Sequence, residues 1–110
     1  MRAIKTCELK ELIESGEVIL LIDALPQKSY AKRHIPTAIN IPLKEFNLKQ
    51  RLLPAKKDKK IVTYCGNASC STSEKVARKL ENLGYTNVFR YREGMKGWRD
   101  ADNRTEPQSK

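Results

Sequence analysis

Residues Val18-Ile19-Leu20-Leu21-Ile22 are apolar without interruption, and Asp23 closes the run. A strand facing water on one side alternates apolar with polar residues, so an unbroken run points to a strand buried on both faces. Such strands belong to parallel sheets covered by helices on either side. A second short run, Ile61-Val62-Thr63-Tyr64, follows the charge cluster Lys56 to Lys60 and has the same character. Beyond it Val76, Ala77, Leu80 and Leu83 recur at helical spacing, and Gly84 supplies a stop. Ser71 with Glu74 has the form of a capping box, which predicts a helix starting just after Ser71.

The remaining elements fall between these two anchors. Arg2 to Ile4 is a short first strand, and Thr6 is placed to cap a helix carrying Leu9, Leu12 and Ile13 that ends at Gly16. Pro26 suits the first position of a helix running through Tyr30 and Lys32. Ala38 to Ile41 reads as a short strand, and Leu43, Phe46, Leu48, Leu52 and Leu53 as one or two helical turns ended by Pro54. Val88 to Tyr91 is a last strand, with Met95, Trp98 and Ala101 on a short final helix. The expectation is one α/β domain over residues 1–101, with a mainly parallel central sheet of about five strands flanked by helices. Residues 102–110 are polar, include Pro107, and read as a frayed C-terminal tail.

Cys65 therefore lies where a strand ends and a loop of small residues leads into a helix. In open parallel sheets, sites lie beyond the carboxyl ends of the strands. Backbone N–H groups and the positive end of the helix dipole favour an anion there. A thiol so placed is expected to be a competent nucleophile.

With 110 residues the chain holds one core, and no apolar run approaches a membrane span. The segment Met1 to Glu8 has no signal-peptide core, which predicts a cytoplasmic location. Three cysteines (Cys7, Cys65 and Cys70) do not make a secreted disulfide framework. One His beside them makes a poor zinc site, so no metal is expected. The net charge of +9 is dispersed apart from Lys56, Lys57, Lys59 and Lys60, and lacks the interleaved aromatics of a nucleic-acid surface. It reads as a solvated face that can also steer small anions.

Several segments together resemble the rhodanese-like domain family. Leu20-Leu21-Ile22-Asp23 followed by Tyr30 is similar to its strand ending in Asp and the helix after it. His34-Ile35-Pro36-Thr37-Ala38-Ile39-Asn40-Ile41-Pro42 is similar to its His-Ile-Pro-Gly-Ala-Xaa-Asn-Ile-Pro segment, with Thr37 where Gly is usual. Ile61 to Cys65 resembles its active-site strand. Leu83-Gly84-Tyr85 with Val88, then Gly94-Met95-Lys96-Gly97-Trp98, resembles its closing elements, with Glu93 where a first Gly is common. The resemblance implies the three-layer rhodanese-like fold and sulfane-sulfur transfer. Cys65 would be the cysteine that takes sulfur from a donor (thiosulfate or a persulfide) and passes it as a persulfide to a thiol, another nucleophile or a sulfur-relay protein. The loop of Gly66, Asn67, Ala68, Ser69, Cys70 and Ser71 would cradle the sulfur with backbone N–H groups. No cofactor is implied, because the cysteine carries the group. A monomer acting on neither nucleic acid nor membrane is expected.

The chain also departs from the family's pattern. Arg commonly follows the cysteine directly and recurs at the place of Cys70; here stand Gly66 and Cys70, and Leu25 occupies another place where Arg is frequent. Thiosulfate, an oxyanion, should bind less well for that reason. The loop length suits sulfurtransferases and not the related phosphatases, whose sixth residue after the cysteine is a phosphate-binding Arg. Ser71 stands there. Cys70 is either a resolving thiol, able to attack the persulfide or receive its sulfur, or a small residue packed in the loop. A thiol–disulfide sensor built on Cys65 and Cys70, and a non-catalytic interaction module, are the alternative functions. Cys7, His34 and Trp98 read as structural, Asp23 as a turn cap, and Lys96 and Arg99 as residues near the pocket mouth.

Overall fold

The computed structural model of the chain describes residues 1–17 and 19–108. Five strands form one sheet, β1 (Arg2–Ala3), β2 (Leu20–Asp23), β3 (Ile39–Asn40), β4 (Ile61–Tyr64) and β5 (Val88–Tyr91), in the order β1-β5-β4-β2-β3. Every pairing is parallel, and β4 is central, with Asp23 opposite Tyr64 on one side and Tyr91 opposite Tyr64 on the other. The strand expected at Val18 to Ile22 is seen from Leu20; Val18 lies outside the described residues.

Among the described residues four helices accompany the sheet: α1 (Thr6–Glu14), α2 (Gln27–Lys32) and α3 (Thr72–Asn82) between strands, and α4 (Gly94–Asp100) after the last one. Two 3-10 segments, Leu43–Glu45 and Asn47–Leu52, follow β3 as the spacing of Leu43, Phe46 and Leu52 predicts. Alternate side chains of each strand feed two cores. On one face Ile22 and Ile61 meet Val76, Ala77 and Leu80 of α3, together with Phe46 and Tyr85. On the other, Leu21, Val62 and Tyr64 meet Leu9 of α1 and Met95 and Trp98 of α4. Ile22, Ile61, Val62, Leu9, Val76 and Leu80 are all fully buried. Burial on both faces is the physical reason the strands carry no polar alternation.

Three local expectations differ from what is observed. Helix α3 begins at Thr72, just after Ser71 as expected, but the capping box does not form. Ser71 has helical-side dihedrals (φ −98°, ψ 0°) in place of the extended geometry a side-chain cap needs, and Glu74 turns to Arg78 and Arg90. Thr6 is the first residue of α1 and not its cap. Lys5 holds the cap position with its N–H donated to Glu8 Oε1 at 2.8 Å, while the Thr6 hydroxyl is bonded to that of Tyr91 at 2.6 Å.

The third difference concerns the tail, which is docked through Gln108 and not frayed. His34 and Glu106 exchange two backbone hydrogen bonds of 2.8 and 2.9 Å, and Gln108 N–H donates to the Ala31 carbonyl at 3.0 Å. Trp98 Nε1 donates to the Arg104 carbonyl at 2.7 Å, giving the buried indole its partner. Composition alone cannot see these main-chain contacts, because they do not depend on which polar side chains the tail carries.

Candidate active site

Cys65 stands at the carboxyl end of the central strand with 1% of its surface exposed. The loop Gly66 to Ser71 carries the chain from there to α3. Two other elements fix the loop's start. Asp23, at the end of β2, accepts the Leu25 N–H on Oδ1 at 2.8 Å and the Tyr64 hydroxyl on Oδ2 at 2.8 Å. Tyr64 Oη in turn accepts the Ile35 N–H at 3.0 Å. Asp23 thus caps the turn after β2, as expected, and also anchors the residue preceding Cys65. Burial pushes its carboxyl pKa up, opposed by the hydrogen bonds from Leu25 and Tyr64 and by nearby His34.

Helix α4 holds the loop from the other side. Met95 N–H donates to the Cys65 carbonyl at 2.9 Å, and Lys96 N–H to the Gly66 carbonyl at 2.8 Å. The C=O and N–H of a trans peptide point in opposite directions, so these contacts turn the Gly66 and Asn67 N–H groups away from α4. The approach is close: a Cβ on Gly94, whose φ is +63°, would sit 2.3 Å from the Cys65 carbonyl oxygen. Gly94 is therefore required twice, by its left-handed backbone and by the loop lying against it.

Of the six residues read as a cradle, two already use their N–H groups inside the loop. Ser69 N–H donates to Asn67 Oδ1 at 2.9 Å, and Cys70 N–H to the Asn67 carbonyl at 3.1 Å. Asn67, Ala68, Ser69 and Ser71 are exposed, and Gly66 and Cys70 half-buried. A Cβ on Gly66 would meet only Leu25 Cδ2, at 3.8 Å, so the small residue there is not imposed by crowding. The loop brings Cys70 back to Cys65. Their Cα atoms are 6.5 Å apart, inside the range a disulfide spans, and their sulfur atoms are joined. Cys7, by contrast, is free and exposed on α1, away from the site.

Two residues that the sequence reading did not single out surround the sulfur, Ser73 in contact with it and Arg90 in contact with its neighbours. Ser73, 1% exposed in the first turn of α3, places Oγ 3.4 Å from Cys65 Sγ. Arg90 extends from β5 under the loop, donating from Nη2 to the Cys70 carbonyl at 2.8 Å and from Nε to Ser73 Oγ at 3.2 Å. The loop lacks Arg, but a guanidinium from the neighbouring strand stands behind it. The only sequence signal was a charge at the middle of the otherwise apolar Val88-Phe89-Arg90-Tyr91.

Outside the loop, Lys96 and Arg99 line an open cleft of about 530 Å³ together with Leu25, Ser29 and Gly66, and Lys96 is paired with Asp100 at 2.7 Å. His34 is buried, stacked on Tyr30 at 3.9 Å with Nδ1 2.9 Å from the Tyr30 carbonyl, a structural arrangement remote from a base's role. Trp98 packs in the core. Among the described residues no group of His, Cys, Asp and Glu is arranged to hold a metal, and no helix is long and apolar enough to cross a membrane.

An all-parallel sheet with helices on both faces and a cysteine loop at the end of its central strand defines a class that comparison names directly. The rhodanese-like domain matches residues 6–101, and the chain belongs to that family. Over 99 residues it is 40% identical to an HTH-type transcriptional regulator from Mycobacterium tuberculosis, covering 90% of this chain but 42% of the regulator. It is 32% identical over 98 residues to a candidate sulfurtransferase of Bacillus subtilis, covering 89% of this chain and 90% of that protein. Among solved structures, the BH2092 protein from Bacillus halodurans superposes with a TM-score of 0.84 at 31% identity, covering 96% of this chain and 77% of the other.

Proposed function

We propose that the chain is a sulfurtransferase or sulfur carrier in which reduced Cys65 accepts sulfane sulfur as a persulfide and delivers it to a nucleophile. Family membership and the 32% identity to the candidate sulfurtransferase support sulfur transfer in general. The observation that carries the finer reading is Cys65 itself: intact, at the end of the central strand, with its loop held by Asp23–Tyr64 on one side and α4 on the other. Gly66, Asn67, Ala68 and Ser71 offer the N–H groups left for a persulfide. Cys70 acts as resolving thiol when no acceptor arrives. Its thiolate attacks Cys65 Sγ, the Sγ–sulfane bond breaks, hydrosulfide leaves, and the Cys65–Cys70 disulfide forms. A thiol reductant then restores the pair.

A low-molecular-weight or protein persulfide fits the loop better than thiosulfate, since neither Gly66 nor Cys70 offers the fixed charge a dianion wants. The reading is tested by turnover across a donor panel of thiosulfate, glutathione persulfide and a protein persulfide. Activity with a persulfide donor, absent in Cys65→Ala, supports it; equal activity in that variant refutes it.

The 40% identity to a transcriptional regulator favours a second reading, a thiol–disulfide sensor on the same two cysteines. The chain spans less than half of that regulator, so a signalling output would require further domains. Persulfide-driven formation of the disulfide with no catalytic turnover on any donor would select the sensor.

A further inference from the structure

Cys65 Sγ is flanked by two oxygens, Ser73 Oγ at 3.4 Å and the Cys70 carbonyl at 3.5 Å, and one guanidinium touches both. Arg90 Nε donates to Ser73 Oγ at 3.2 Å and Nη2 to the Cys70 carbonyl at 2.8 Å. We propose that Ser73 is a catalytic residue whose hydroxyl donates a hydrogen bond to the Cys65 thiolate, and that Arg90 is the positioning residue that orients and strengthens that donor. This inference rests on the reading of Cys65 as the reacting thiolate and assigns the groups that keep it ionised.

The direction of the hydrogen bond follows from what each group can do. A guanidinium only donates, so Ser73 Oγ must accept from Arg90, which leaves the hydroxyl proton free to point elsewhere. Ser73 Oγ lies 3.4 Å from Cys65 Sγ with the disulfide closed, so the thiolate that reduction releases there is its acceptor, and a better one than a thiol. A hydroxyl that accepts from a cation becomes the stronger donor, since bonds in such a chain polarise one another. The second contact acts in the same sense. The negative end of the Cys70 carbonyl faces the sulfur and opposes its ionisation, and the guanidinium on that carbonyl offsets the opposition. Arg90 is only 16% exposed, so its charge is less screened than that of a surface arginine.

Other charged groups also stand around the sulfur. On α3, Glu74 approaches Arg90 Nη1 at 3.4 Å and is shared with Arg78 at 3.3 Å, which leaves Arg90 partly neutralised. On α4, Lys96 and Arg99 line the cleft beside Gly66, with Lys96 tied to Asp100. On β2, the Asp23 carboxyl is directed at Tyr64 and Leu25. Among these, Arg90 alone bonds to groups that touch the sulfur. The arrangement supplies from a neighbouring strand the charge that Gly66 and Cys70 do not bring to the loop. Ser73 is held for the task by a separate contact, Thr63 Oγ1 donating to the Ser73 carbonyl at 3.0 Å.

The test is the pH profile of Cys65 alkylation by iodoacetamide, in a full-length Cys7→Ser, Cys70→Ala background so that one thiol reacts and no disulfide forms. Ser73→Ala and Arg90→Gln should each move the midpoint up, slowing alkylation below it about tenfold, the size of one hydrogen bond to an ionised group. Arg90→Lys should recover part of the rate. Thr63→Val loosens the same helix start without touching the sulfur, so it should lower thermal stability and leave the midpoint in place. Unchanged midpoints in Ser73→Ala and Arg90→Gln, or an equal shift in Thr63→Val, would overturn the proposal. The readout needs no sulfur donor, so a Cys65 that transfers no sulfur yet shows these shifts would sink the proposed function and leave this inference standing.

Discussion

Tyr64 donates its hydroxyl proton to Asp23 Oδ2 at 2.8 Å, joining neighbouring parallel strands at the edge where Cys65 emerges. The same hydroxyl accepts the Ile35 N–H, so one buried oxygen ties together β2, β4 and the turn after His34. Burial raises the pKa of both groups, and the unfolded chain feels neither effect.

Tyr64→Phe should therefore cost about 1–3 kcal/mol, because it orphans the Ile35 N–H and one carboxyl oxygen in the interior. The pH dependence carries a sign. Asp23 ordinarily titrates near 3.8 and in the fold titrates higher. Between those two values the folded state keeps a proton the unfolded state has lost, so this group's contribution to stability falls as pH rises through the window. Asp23→Asn should remove that slope. Tyr64→Phe should extend it to higher pH, since it deletes a bond that favours the carboxylate. Urea midpoints taken across the acid range read both effects.

Restoring an arginine beside the cysteine tests the donor preference. A Cβ at Gly66 meets only Leu25 Cδ2, at an ordinary contact distance of 3.8 Å, so Gly66→Arg should fold normally. It should raise kcat/KM for thiosulfate about tenfold, equivalent to ~1.4 kcal/mol from a charge-assisted hydrogen bond. A donor without an oxyanion should respond much less. Steady-state kinetics with both donors supply the comparison.

Gly94→Ala should be destructive for an opposite reason. Its Cβ would lie 2.3 Å from the Cys65 carbonyl oxygen on a left-handed backbone, so α4 must move off the loop. A loss of at least about 2 kcal/mol is expected. Cys65 reactivity should fall further than stability explains when both are measured well below the melting temperature.

Removing residues 102–110 should destabilise the domain, although the sequence there looks dispensable. The deletion breaks the two His34–Glu106 backbone bonds, the Trp98 indole bond to Arg104 and the Gln108 bond to Ala31. At ~0.5–1 kcal/mol net for each, about 2–4 kcal/mol should be lost. A thermal melt of the shortened chain measures it.

The parts legible in the sequence were those with strong local patterning. Ile61 to Tyr64 and the α3 repeat of Val76, Ala77 and Leu80 can hardly be anything but a buried strand and a helix packed on it. Their junction put Cys65 at a strand end. The Pro-punctuated stretch around Ile39 and the turn at Asp23 were legible from turn chemistry. What stayed hidden was long-range. Ser73 and Arg90 are 17 residues apart and meet because β5 pairs with β4, which no local pattern reports. The docked tail was missed because its bonds are main-chain. The capping box at Ser71 is absent because Ser71 has helical-side dihedrals, and Glu74 pairs instead with Arg78 on its own helix and with Arg90 from β5.

The most direct test of sulfur chemistry at Cys65 is the intact mass of fully reduced protein after brief treatment with glutathione persulfide. The account predicts that the wild-type chain loses two hydrogens and releases hydrosulfide as the Cys65–Cys70 disulfide closes. It predicts that Cys70→Ala instead retains one added sulfur atom on Cys65. A Cys70→Ala protein that gains no sulfur, or one whose added sulfur persists when Cys65 is also replaced, would contradict it.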